Sequence, residues 1–104
     1  MIRKSFVMAV HPEHRETYQR RHNPIPEDLH RALKEHGVHN YSIFLDPETD
    51  QLFAYLEMED EARFEKIAET DACRRWWASM RELMPSNPDN SPVRHDLTEV
   101  FHID

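Results

Sequence analysis

From Ile2 to Val10 the side chains alternate, with Ile2, Phe6, Met8 and Val10 on one side, Lys4 the exception among them, and Ser5, Val7 and Ala9 on the other. A period of two marks a β-strand, here with one strongly apolar face. The period then changes. Pro12 suits a first helical position, where its missing N–H would have no partner anyway, and Glu13 and Glu16 suit the positive end of the helix dipole, so a helix is expected from Pro12 to His22. Pro24 and Pro26 interrupt it. Leu29, Ala32 and Leu33 then recur at helical spacing, Lys34 and His36 occupy the last turn, and Gly37 fits the left-handed position that follows a helix end.

Val38 to Leu45 and Leu52 to Met58 are β-branched, aromatic and apolar, and the turn formers Asp46, Pro47, Glu48, Thr49 and Asp50 lie between them, which predicts a β-hairpin. Asp60 is placed to cap a helix carrying Phe64, Ile67 and Ala68. A further helical stretch from Asp71 to Met84 carries Cys73, Trp76, Trp77, Met80 and Met84, and Pro85 ends it. The segment PSNPDNSP, residues 85 to 92, is rich in turn formers and leads to a last strand expected over Leu97 to Ile103. Strand, helix, strand, strand, helix, strand is the α+β ferredoxin-like βαββαβ order, with helices on one face of an antiparallel sheet. No repeat or linker divides the chain, so residues 1–104 are expected to form a single domain.

The hairpin strands are apolar on both sides. Tyr41, Ile43 and Leu45 share one face of the second strand with Phe44 on the other, and Leu52, Leu56 and Met58 lie opposite Phe53 and Tyr55 on the third. Helices cover one face only, so a homodimer with its sheets packed together is expected.

Composition narrows the function classes. Apolar residues make up 38% and charged residues 32% of the 104, a mixture that folds. The formal charge of −7 argues against nucleic acid as a partner, since that affinity rests on Lys and Arg neutralising phosphates. Gly37 is the only glycine, so no Gly-rich loop can bring amides against a phosphate or dinucleotide. The only cysteine, Cys73, excludes an intrachain disulfide and suits a reducing compartment. The apolar run after Arg3 and Lys4 is too short for a signal peptide or membrane span. A soluble cytoplasmic protein acting on a small or neutral ligand is the expectation.

Tyr18 and His22, four residues apart, share one helical face, and an imidazole with an ordinary pKa near ~6.5 can give and take protons at neutral pH. Among eight histidines, spacing alone does not separate this role from that of a partly exposed helix-end residue. Trp76 and Trp77 lie about 100° apart on their helix, so one can face a cleft and offer a flat apolar surface for the C–H face of a sugar, while both as core aromatics is the other reading. Tyr41 lies on a central strand, its hydroxyl available to a ligand or to the backbone. The pairs His11/His14 and His36/His39 lack a metal-binding pattern and straddle element boundaries, so no metal site is expected. Cys73 sits in an apolar helical face and is a poor nucleophile candidate.

YQRRHNPI (Tyr18 to Ile25), CRRWW (Cys73 to Trp77), MPSNPDNSPV (Met84 to Val93) and EVF (Glu99 to Phe101), at these separations, resemble the L-rhamnose mutarotases over essentially the full chain. The resemblance implies a dimeric α/β barrel of ferredoxin-like subunits that interconverts the α and β anomers of L-rhamnose without a cofactor. It implies that His22 is the catalytic proton donor and that Tyr18, Tyr41, Trp76 and Trp77 hold the sugar. One departure concerns the residues after NPI, where the family continues with a Trp-Pro pair and this chain has Pro26, Glu27 and Asp28. A cofactor-independent monooxygenase-like enzyme on the same fold, or a passive sugar-binding module, are the competing readings.

Overall fold

In the computed structural model, which describes residues 1–104, four strands form one antiparallel sheet in the order β2-β3-β1-β4. The strands are β1 (Ile2–Ala9), β2 (Val38–Asp46), β3 (Gln51–Met58) and β4 (His95–Asp96). Helices α1 (Arg15–Arg21), α2 (Glu27–Glu35), α3 (Glu61–Glu65) and α4 (Asp71–Met80) complete the ferredoxin-like α+β fold. No helix is long and apolar enough to cross a membrane.

The helix-facing side of the sheet follows from the alternation in β1 and β3. Lys4 pairs with Leu56, Phe6 with Ala54 and Met8 with Leu52, so the inward side chains of both strands share one layer. Leu52, Ala54, Leu56 and Met58 are at most 2% exposed and pack with Phe6, Met8, Tyr18, Met80, Leu83 and Met84. Burying side chains of this size stabilises the fold by about 1.5–3 kcal/mol each. Lys4, the polar exception on that face, keeps its ammonium 3.3 Å from Asp96 and 3.7 Å from Glu61 at the rim.

Local signals set the helix ends. Asp60 accepts the Arg63 N–H at 2.8 Å, Thr70 accepts that of Cys73 at 3.2 Å, and Gly37 takes φ +78° after α2. The helix expected over Pro12 to His22 begins as a 3-10 turn, Pro12–His14, before α1. The stretch expected to run to Met84 leaves α-geometry at Met80, continues as a 3-10 turn over Arg81–Leu83, and reaches Met84 in extended conformation.

The last strand is displaced from its expected span. Its ladder holds only Val7 with His95 and Phe6 with Asp96, followed by one hydrogen bond from the Leu97 N–H to the Ser5 carbonyl at 2.9 Å. Each step forward along the tail is a step back along β1, so the same register would put Phe101 opposite Met1, where β1 has ended. Thr98, Glu99 and Val100 would fall opposite Lys4, Arg3 and Ile2 in that register, yet they form no ladder, and the tail is held there by the Arg3 side chain, which donates to the Glu99 carboxylate at 2.7 Å. Val100, Phe101 and Ile103 are 93%, 77% and 77% exposed.

Candidate active site

A cleft of about 640 Å³ opens between the sheet and helices α1, α2 and α4. Tyr18, His22, Tyr41 and Trp76 all line it. Tyr18 and His22 come together as their spacing of four dictates, with ring centroids 4.2 Å apart, and Trp76 meets His22 edge-on at 4.9 Å. Three aromatic rings from two helices thus form one wall.

His22 caps the C-terminus of α1, where its ring turns back onto the helix. Its Nδ1 lies 2.7 Å from the Tyr18 carbonyl oxygen. A carbonyl can only accept, so Nδ1 carries the hydrogen and Nε2 is the atom left for a ligand. Burial pushes the His22 pKa below 6.5, against a weaker opposing effect of the hydrogen bond to Tyr18. The resting imidazole is therefore neutral at neutral pH, with a lone pair on Nε2.

Of the three tyrosines, only Tyr55 spends its hydroxyl on a protein group, donating to Glu57 at 2.8 Å. The hydroxyls of Tyr18 and Tyr41 have no protein partner, and both residues line the cleft. Burial raises the Tyr18 pKa. It pushes Tyr41 up to about 12 against a smaller opposing pull from Arg94, because packing desolvates the phenol even though the residue as a whole is 39% exposed. Both remain protonated donors.

Tyr41 reaches the cleft through an irregularity in β2. The β2–β3 register shifts between His39 and Ser42, and Asn40 takes φ 48°, in the left-handed region that Asn tolerates. The extra residue lets Val38, Tyr41, Ile43 and Leu45 all face the helices, which strict alternation forbids.

Trp77 is the departure from the expected site. It does not line the cleft, but packs against the cluster of Ala32, Ile67 and Cys73 between α2 and the segment after α3. Adjacent positions on a helix diverge by about 100°, so once Trp76 faces His22 its neighbour turns to the core. Cys73 is buried in that same cluster, with its thiol pushed up to about 11 by burial. Sequence reasoning missed Gln19, Asn23, His30, Lys34 and Asn40, which also line the cleft. Gln19 and Asn23 repeat the spacing of Tyr18 and His22 one position on, as His30 and Lys34 do on α2, so the helical repeat held that signal. Asn40 gave none beyond its tolerance of positive φ.

On this ferredoxin-like α+β scaffold, a histidine, two unpaired phenols and an edge-on indole share a cleft that further polar residues also line, an arrangement suited to a small enzyme that binds a sugar and moves its protons. A sequence profile described as L-rhamnose mutarotase matches residues 3–103. A curated L-rhamnose mutarotase from Opitutus terrae is 61% identical over 104 residues, covering all of both chains. The crystal structure of an L-rhamnose mutarotase from Formosa agariphila superposes with a TM-score of 0.91 at 36% identity, again over all of both chains. This chain belongs to the L-rhamnose mutarotase family. An antibiotic biosynthesis monooxygenase, TM-score 0.64 at 13% identity over 96% of this chain and 99% of its own, shares the fold alone.

Proposed function

We propose that this chain interconverts the α and β anomers of L-rhamnose by opening and reclosing the ring, with no cofactor. The observation that carries the reading is the fixed tautomer of His22, a neutral imidazole with its Nε2 lone pair left for the cleft. Nε2 accepts the proton of the anomeric hydroxyl, the C1–O1 bond becomes a carbonyl as the bond from C1 to the ring oxygen breaks, and the same nitrogen returns the proton to that ring oxygen. O1 and the ring oxygen share one carbon, so a single nitrogen can serve both in turn. Rotation about the bond from C1 to C2 and reversal of the steps close the ring on the other face. His22 is thus base first and acid second, which completes the donor role implied by family resemblance.

Tyr18 and Tyr41 donate hydrogen bonds to the sugar without losing their protons, and Trp76 offers its face to the ring carbons and the 6-deoxy methyl group. The placement of Trp77 favours a supporting role, holding α4 against α2 so that Trp76 is presented to the cleft. The proposal extends to a cytoplasmic homodimer. A reducing compartment suits the free Cys73, and a partner suits the open sheet face, where Phe44 is 67% exposed beside Phe53.

The test is saturation transfer between the anomeric protons of L-rhamnose by NMR. Purified protein is expected to raise the exchange rate above that of buffer in proportion to its concentration. Binding of the sugar without faster exchange would make the cleft a passive binding site and overturn the proposal.

A further inference from the structure

The chain carries 20 acidic residues and a formal charge of −7, yet none of the 18 residues lining the cleft is Asp or Glu. Every polar residue in the lining is neutral or basic, and Lys34 joins His22, His30 and His39 there. His39 is held by Glu59 at 2.7 Å and Asn40 donates to Glu57 at 3.3 Å. Lys34 and His30, one turn apart on α2, take part in no ion pair or side-chain hydrogen bond, although other helix residues such as Arg31 and Arg63 do pair with carboxylates.

Size points the same way. If each non-hydrogen atom is allowed a water molecule's share of ~30 Å³, a 6-deoxyhexose of about eleven such atoms fills roughly half of the cleft. The ring cluster around His22 belongs to α1 and α4, and the unpaired Lys34 and His30 belong to α2. We infer that the α2 side of the cleft is a subsite for an anionic substituent, a carboxylate or a phosphate, carried on a sugar away from its anomeric carbon and held by Lys34 and His30. The inference rests on the cleft being a sugar site. An ammonium and an imidazole N–H make charge-assisted hydrogen bonds to such a group, and because both residues are exposed at the cleft's α2 rim the attraction is open to screening by salt.

The experiment titrates the full chain with a neutral hexose, the corresponding hexuronate and the corresponding hexose 6-phosphate, following backbone amide shifts so that turnover is not required. At least one anionic sugar is expected to bind about tenfold more tightly than the neutral one. That advantage should shrink as sodium chloride is raised, disappear in the Lys34→Gln, His30→Asn double variant, and persist in Lys34→Arg. The uronate and phosphate arms distinguish the two anions. Equal affinity for neutral and anionic sugars, an advantage that survives the double substitution, or no sugar binding at all would overturn the inference. A protein that prefers anionic sugars but does not accelerate anomer exchange would sink the mutarotase reading and leave this one standing.

Discussion

At His22, the hydrogen bond from Nδ1 to the Tyr18 carbonyl fixes which nitrogen reacts, and burial fixes which charge state is present. The folded-state pKa lies below 6.5, so the unfolded chain takes up a proton first as the solution is acidified. Through this residue, stability is level above pH 6.5 and declines as pH falls below it toward the depressed folded value. The proton acceptor disappears over the same acid range. After subtraction of the spontaneous reaction, kcat/KM for anomer exchange should be flat through neutral pH and fall with a midpoint below 6.5, while a midpoint above 6.5 would contradict the neutral resting imidazole. The two tryptophans divide along similar lines. Trp76→Ala should raise KM, whereas Trp77→Ala should destabilise the fold by about 2–4 kcal/mol in chemical denaturation, having emptied a half-buried site. Equal loss of sugar binding in both, with stability intact, would refute that division. The sequence made the Tyr18 and His22 pairing legible, because a spacing of four has one meaning on a helix. It did not say which indole faces the sugar, since that depends on the rotation of α4 against the sheet.

Secondary-structure elements were legible where a local signal sets their ends. Gly37 was expected after α2 and lies there with φ +78°, and a Cβ at this position would sit 3.2 Å from the Glu59 Cβ. Gly37→Ala should cost about 1–2 kcal/mol from the left-handed backbone. That corresponds to a fall in Tm of roughly 5–10 °C for a chain of this size, measurable by scanning calorimetry, and an unchanged Tm would show that the turn relaxes without strain. The irregularity at Asn40 was not legible, because a bulge answers to pairing with β3 rather than to its own residues. The same holds for the chain after Leu97, whose alternation reads as a strand but which forms no ladder with β1 and meets it instead through the Arg3–Glu99 side-chain pair.

For the molecule as a whole, the helices leave one sheet face partly uncovered, and Phe44 and Phe53 lie side by side on it, next to a Val7 that the chain itself already buries. The alternation on both sides of the hairpin made this surplus of apolar positions visible in the sequence; what covers them depends on a second molecule. A homodimer accounts for both the phenylalanine pair and the exposed tail. Phe44→Glu should then shift the sedimentation coefficient from dimer to monomer while far-UV circular dichroism stays unchanged, and a wild-type protein that sediments as a monomer would refute the dimer. The central claim concerns one atom, the Nε2 of His22. Saturation transfer on L-rhamnose, comparing the wild-type chain with His22→Asn at saturating sugar, tests it most directly. The account predicts that the substitution lowers the exchange rate by about 10²–10⁴-fold while the sugar still binds. An exchange rate retained in His22→Asn and lost instead in Tyr18→Phe would contradict it.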